Sequence, residues 1–246
     1  MMLMVSVQNL AEAREAVEGN ADIVDVKNLD EIFIGANYPP VIKEVREAFP
    51  KERHVSVTLG SVPEAVGTVA LAVYGAAVLK ATSVKVGFVN MSYDTALRTL
   101  KECKKALKGF DTKLIAATFA DSHLYNGIDP KLVVKLAKES ESDGILIDTL
   151  TKDGRNLFDF MDEPTLKSLT DEAKDLGMST ALSGALKISN FDTLVRINPD
   201  IVGVRGAVCK GEDRYNGRVD AKAVANVKNE LDMRVEGKIE VFNNTK

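Results

Sequence analysis

The segment Lys113-Leu114-Ile115-Ala116-Ala117-Thr118-Phe119 is apolar and rich in strand formers. Asp129-Pro130 follows it as a helix-opening pair, and Gly144-Ile145-Leu146-Ile147-Asp148 is apolar again. Strand, helix start, strand within about 30 residues is the length of one βα unit, because a parallel strand must be reached by a crossover. The same beat runs outward in both directions. Apolar runs recur at Leu3–Val7, Asp22–Val26, His54–Leu59 and Val84–Phe88 before it, and at Ser179–Leu182 and Ile201–Val204 after it. Between them lie helical spacings such as Ala13, Ala16 and Val17, or Leu97, Leu100 and Leu107. Gly19 and Gly177 stand where helices should end, and Ser189-Asn190 stands where one should begin. Eight strands with little alternation point to a parallel sheet covered by helices, and favour a closed α/β (β/α)8 TIM barrel over an open doubly wound sheet. Residues 1–230 form the expected single barrel domain. Residues 231–246 are expected to be a C-terminal tail, a short helix end followed by a frayed terminus.

Composition narrows the function. The chain has 246 residues, with 32 Lys plus Arg against 36 Asp plus Glu, for a formal net charge of -4. That balance argues against a nucleic-acid binder, whose affinity comes from clustered cations. The longest uncharged stretch, Ala65 to Leu79, has 15 residues, short of the roughly 20 that a bilayer span needs. It is expected to be a buried helix packed on the barrel, or one that extends a subunit contact, so a homo-oligomer stays open. No signal-peptide pattern opens the chain, so a cytoplasmic protein without a membrane partner is expected. The two cysteines, Cys103 and Cys209, and the two histidines, His54 and His123, are too few and too scattered for a dedicated zinc site. No metal and no organic cofactor are expected.

A barrel places its chemistry at the carboxyl ends of the strands. In Val24-Asp25-Val26-Lys27, side chains two apart share a face, so Asp25 and Lys27 point inward if the valines face the helices. Lys85 between Val84 and Val86 obeys the same parity. Asp148 ends another strand, with Lys152 in the loop beyond it. A strand-end salt bridge is the plainer reading of Asp25 with Lys27 alone. Three lysines and two aspartates at one barrel mouth are harder to dismiss, because buried charge is costly. Such groups suit carbonyl chemistry: burial and a facing ammonium, Lys85 opposite Lys27, would lower a lysine pKa from about 10.4 towards that of a competent nucleophile. Asp25 works the other way, so the net shift stays open. Ser183-Gly184-Ala185 and Arg205-Gly206-Ala207, the loops after the last two strands, are candidates for a substrate-phosphate cradle.

Asp25-Val26-Lys27-Asn28, Gly35-Ala36-Asn37, Val84-Lys85-Val86-Gly87, Asp148-Thr149 with Lys152-Asp153-Gly154, and Gly203-Val204-Arg205-Gly206-Ala207 occur in one order. Together they closely resemble the (5-formylfuran-3-yl)methyl phosphate synthase family of methanofuran biosynthesis, over nearly the whole chain. The resemblance implies a lyase of class I aldolase type that condenses two molecules of glyceraldehyde 3-phosphate, a small triose phosphate, with loss of phosphate and water. It implies Lys27 as the Schiff-base lysine and Lys85 as general acid/base, with Asp25, Asp148 and Lys152 as the remaining charged site positions. The chain departs from the family after the Schiff-base lysine, with Leu29 and Ile32-Phe33 in place of Pro and Gly-Ser. The residues alone also admit a sugar-phosphate barrel aldolase or isomerase using acid–base chemistry without a covalent lysine, or a non-catalytic barrel that binds a sugar phosphate.

Overall fold

A computed structural model of the chain describes residues 1–30 and 35–244. Eight parallel strands close into a barrel in chain order: β1 (Met2–Val7), β2 (Ile23–Val26), β3 (His54–Val62), β4 (Ser83–Phe88), β5 (Lys113–Phe119), β6 (Gly144–Asp148), β7 (Ser179–Leu182) and β8 (Ile201–Val204). Helices α1 (Leu10–Glu18), α2 (Pro39–Glu47), α3 (Val66–Val78), α4 (Tyr93–Ala106), α5 (Val133–Glu139), α6 (Glu163–Asp175), α7 (Phe191–Ile197) and α8 (Ala221–Asn244) follow the strands in turn. The expected strands are all present. The main extension is in β3, which runs on to Val62 through an irregular register between Thr58 and Ser61, with Gly60 at φ 69. A bulge of this kind bends a strand and re-aims its neighbours.

Residue parity divides the barrel into two environments. Val24, Val26, Val84 and Val86 face outward into the main core between strands and helices, all with no exposed surface. Inside, Ile115, Ala117, Leu146 and Ala181 form a small separate apolar cluster on the β5–β7 wall. The opposite wall, β2 to β4, carries charge instead.

Helix ends differ from expectation in instructive ways. Gly177 has φ 74, the left-handed conformation expected after a helix. Gly19 does not, since its φ is -79 and Asn20 takes the left-handed position at φ 66. A Cβ on Gly19 would lie 2.5 Å from the Ala221 carbonyl oxygen, so this glycine admits α8 against α1. Asn190 belongs to a 3-10 turn ahead of α7, and its side chain accepts from the Lys187 N–H at 2.9 Å instead of capping α7.

Two expectations are corrected. The Ala65–Leu79 stretch is a helix, but only one face is buried, through Val69, Val73, Ala76 and Ala77, while Leu71 is 70% exposed and Val78 52%. The C-terminal segment is not a short helix end: α8 continues to Asn244, crossing the 230/231 boundary without a break. Its Val224, Val227 and Leu231 are buried, and Arg234 pairs with Asp192 of α7 at 3.0 Å. Among the described residues no helix is long and apolar enough to cross a membrane.

Candidate active site

The β2–β4 wall gathers its polar groups by register. Asp25 lies level with Ser56 across β2 and β3, and Thr58 lies level with Lys85 across β3 and β4. All four side chains therefore meet inside the barrel. One oxygen of Asp25 takes hydrogen bonds from the Lys85 ammonium, from Ser56 Oγ at 2.7 Å and from Thr58 Oγ1 at 3.0 Å. The other oxygen faces the Lys27 ammonium at 3.6 Å. Lys85 also donates to Ser56 Oγ at 2.9 Å. Asp25, Lys27 and Lys85 are all buried. The expectation that Lys85 faces Lys27 as a bare repelling charge is thus modified, because a carboxylate stands between them.

The electrostatics follow from that arrangement. Burial pushes the Lys27 ammonium down to about 8; Asp25 and Asp148 resist the shift, while Arg214 and, least of all, Lys85 add to it. Desolvation rather than lysine–lysine repulsion makes this amine available. At pH 7 roughly one Lys27 in ten is neutral, against about one in a few thousand for an ordinary lysine. Burial by itself would raise Asp25, but the adjacent Lys85 and Lys27 charges and the Lys85 and Ser56 hydrogen bonds outweigh it and hold the carboxyl low.

A second cluster ends β6. Lys152 reaches back one turn of loop to donate to Asp148 at 3.1 Å, to the Thr149 carbonyl at 2.6 Å and to Thr149 Oγ1 at 2.9 Å. Burial raises Asp148 in principle, but Lys152, then Lys27 and Arg214, bring it down to about 2. The Lys152 ammonium is itself lowered, chiefly by burial. Asp121, fully buried after β5, accepts the backbone N–H groups of Leu150 at 2.8 Å and Thr151 at 2.7 Å. It thereby holds the loop that carries Lys152. Asp25, Lys27, Lys85, Asp148 and Ser183 line one small cavity, about 30 Å3, at the barrel mouth, with Phe119 and Gly87 on its apolar side.

The two loops expected to cradle phosphate have different characters. In the first, Gly184 at φ 119 and Ala185 at φ 48 both take left-handed backbone, and a Cβ on Gly184 would press on Thr149 at 3.0 Å. Ser183 Oγ donates to the Gly203 carbonyl at 3.1 Å. In the second, Gly206, Ala207 and Val208 form a 3-10 turn. The Arg205 side chain, however, is fully engaged away from the cavity. It donates to the Ser6 carbonyl at 2.9 Å, forms two bonds to Glu12 at 2.8 and 3.1 Å, and reaches the Arg214 carbonyl at 3.0 Å. Only the backbone of this position remains for a ligand.

Sequence reasoning missed Ser56, Thr58, Asp121 and Arg214. The first two were findable, since they share the inward parity of Asp25 and Lys85. Asp121 and Arg214 sit in loops, where no periodicity marks them. His54 is bonded to Ser83 Oγ at 3.0 Å near the start of β3, and His123 is exposed after β5. Cys103 and Cys209 are buried free thiols. Among the described residues no group of three potential ligands could hold a metal. Leu29 is buried, while Ile32 and Phe33, the other departures in that loop, lie outside the described residues.

The chain is similar to known proteins at two levels. Among solved structures, 3-hexulose-6-phosphate synthase from Salmonella typhimurium aligns over 94% of this chain and 100% of that one, with TM-score 0.65 and 18% identity. A thiamine phosphate pyrophosphorylase from Pyrococcus furiosus aligns over 95% and 96%, with TM-score 0.62 and 14% identity. These likenesses carry the barrel fold alone. In sequence, proteins named (5-formylfuran-3-yl)methyl phosphate synthase are much nearer. That of Methanococcus maripaludis strain C5 is 45% identical, covering 92% of this chain and 98% of the relative. Those of Methanocaldococcus jannaschii and Methanothermobacter thermautotrophicus are 42% and 44% identical, covering 93% and 94% of this chain and 98% and 99% of the relatives. A family profile described as 4-HFC-P synthase matches residues 3–228, and with nearly full-length relatives at this identity the chain belongs to the 4-HFC-P synthase family.

Proposed function

We propose that this chain is a Schiff-base lyase that condenses two molecules of glyceraldehyde 3-phosphate into (5-formylfuran-3-yl)methyl phosphate, releasing phosphate and water, in the cytoplasm. The observation that carries the mechanism is Lys27: a buried amine, lowered to about 8, at the mouth of a barrel whose relatives bear this synthase name.

In this reading the neutral Lys27 amine attacks the aldehyde carbon of one triose phosphate. Lys85, hydrogen-bonded to Asp25 and Ser56, donates a proton to the carbonyl oxygen as the carbinolamine forms and loses water. The amine that Lys85 then presents takes the proton from the neighbouring carbon, and the iminium collapses to an enamine. Asp25 stabilises the cationic nitrogen throughout, because it lies against both amines. The enamine carbon attacks the second aldehyde, and Lys85 returns its proton to the new alkoxide. Asp148 and Lys152 are suited to orient the second molecule or to assist the later loss of phosphate. The Ser183-Gly184-Ala185 turn and the backbone of Arg205-Gly206-Ala207 offer N–H donors to phosphate. A hydroxyl of the second unit then adds to the iminium carbon and expels the Lys27 amine as the ring closes, and loss of phosphate and water ends at an aromatic furan. The imine is the electron sink, so the route uses no metal or organic cofactor.

The test is incubation with glyceraldehyde 3-phosphate and borohydride, followed by mass analysis. A triose phosphate adduct on Lys27 and furan product from the untrapped enzyme are expected. Lys27→Ala should give neither, and Lys85→Ala should slow turnover by at least about 100-fold. Turnover without any adduct on Lys27 would sink the covalent route, and binding without turnover would sink the enzyme.

A further inference from the structure

Arg214 is a half-buried cation with two shielded, unmatched donors. It stands in the loop between β8 and α8, and its Nε and Nη2 are shielded from solvent without a hydrogen-bond partner among the described residues. Buried guanidinium donors are seldom left so, because each forfeits its water without replacement. Its surroundings make this more pointed. Arg214 follows the carboxyl end of β8 in the same loop as the Gly206 turn, and its charge is felt by Lys27, Asp148 and Lys152. The charged groups around them already balance: Lys27, Lys85 and Lys152 stand against Asp25, Asp148 and Asp121, whose charge also reaches Lys152. A fourth cation there is unfavourable unless an anion joins it.

The loop is built to hold this side chain still. Cys209 and Val219 bridge its two ends, and Lys210 N–H donates to the Arg218 carbonyl at 2.9 Å. Asp213 accepts the N–H groups of Tyr215 at 2.9 Å and Asn216 at 3.0 Å, just beyond Arg214. From below, the Arg214 carbonyl is gripped by Arg205 Nε, and Arg205 is pinned by Glu12. The Tyr215 ring lies 5.8 Å from the Arg214 guanidinium carbon. A flexible surface arginine has no need of such support.

We infer that Arg214 is a substrate-phosphate anchor, gripping a phosphoryl group in a two-point contact through Nε and Nη2, with Arg205 as its positioning residue. A phosphate dianion matches both the fork of donors and the excess of positive charge. The Gly206 turn, whose missing side chain would point towards Arg214 Cβ at 4.0 Å, leaves room beside it. The role of Arg205 is thereby reassigned, from touching phosphate to holding the arginine that does. This inference rests on the triose phosphate reading for its substrate, but the first arm of its test does not.

The test has two arms. In the first, inorganic phosphate is titrated into wild type, Arg214→Gln and Arg214→Lys by calorimetry, with melting curves to verify folding. Arg214→Gln should weaken binding by about 100-fold, and Arg214→Lys, which keeps the charge and loses the fork, by about tenfold. Equal affinity in wild type and either folded variant overturns the assignment. In the second arm, borohydride trapping compares glyceraldehyde 3-phosphate with unphosphorylated glyceraldehyde. Arg214→Gln should cut adduct formation with the phosphate ester by about 100-fold, and that with the plain aldehyde by about tenfold at most, since there only the Arg214 charge on the Lys27 amine is lost. Equal losses with both would mean that Arg214 acts on Lys27 instead, and overturn it. If wild type binds phosphate through Arg214 yet forms no adduct with either aldehyde, the anchor stands and the Schiff-base reading falls.

Discussion

Replacing Asp25 by asparagine should make Lys27 a better nucleophile and the enzyme a worse catalyst. The carboxylate lies 3.6 Å from the Lys27 ammonium and holds its proton on. Unit charges at that distance interact by about 4–5 kcal/mol at an effective dielectric near ~20, equivalent to about 3 pKa units. The polar amide and water that replace the charge recover part of this, so a fall of roughly 2 units, from about 8 to near 6, is expected. At pH 6.5 the neutral fraction of Lys27 would rise from about 3% to about 75%, roughly 25-fold. The assay is the initial rate of borohydride-trapped adduct, read by intact mass from pH 5.5 to 9.5, on protein shown by its melting transition to be folded. Wild type should show a midpoint near 8, and Asp25→Asn a midpoint well below it. Furan formation by the variant should nevertheless fall, because Lys85 loses the carboxylate that holds it in place. A midpoint that stays put or moves up would refute the reasoning, since it would mean that Lys27 does not feel Asp25.

Other consequences can be measured as stability. Lys27→Met should abolish the adduct and stabilise the fold by about 1–3 kcal/mol in urea at pH 7, because it removes a desolvated charge while leaving Asp25 its Lys85 partner. In wild type the same group gives a sign: its folded value, about 8, lies below the unfolded one, so the unfolded chain binds more protons and stability rises from about pH 8 to 10.5. Lys27→Met should lack that rise in a pH series of urea melts. Asp148 has the same sign in a lower window, with stability again rising as pH rises. Its folded value, about 2 against 3.8, contributes about 2 kcal/mol that is present above pH 3.8 and lost as pH falls through 2, and Asp148→Asn should flatten that acid limb. Asp121→Ala strands two buried backbone N–H groups, so a loss of about 2–4 kcal/mol by denaturant titration is expected, with faster proteolysis in the 149–155 loop.

How much of this was legible beforehand depended on periodicity. β2 and β4 carry single charged residues between valines, and one parity rule turned Asp25, Lys27 and Lys85 inward. The same rule applies to Ser56 and Thr58, but hydroxyls between aliphatic residues look like ordinary strand residues until a register sets them beside a carboxylate. Arg205 misled because it follows β8 directly, where barrel chemistry is expected. Its partner Glu12 is remote in sequence, and only the closure of β8 on β1 brings the two together. Arg214 lies in a polar hairpin with no repeating pattern, and what marks it is its unmatched donors in three dimensions. The exposed apolar face of α3 was hidden by composition, since an uncharged run reads the same whether one face or both are covered.

The Arg205–Glu12 pair also has a meaning in time. A ribosome delivers α1 early and Arg205 only after β8, so for most of synthesis Glu12 has no cation and β1 has no second neighbour. Contacts of such sequence separation form late and slowly. The nascent chain therefore carries an open β1 edge, the kind of edge that invites pairing with other chains. When β8 arrives, one guanidinium joins the β1 carbonyl of Ser6, the α1 carboxylate and the carbonyl of Arg214 in a single knot. The step that seals the barrel is thus the step that seats Arg214. A chain stalled short of β8 lacks its last strand and its arginine at the mouth together, so an unfinished barrel is not left with a finished site.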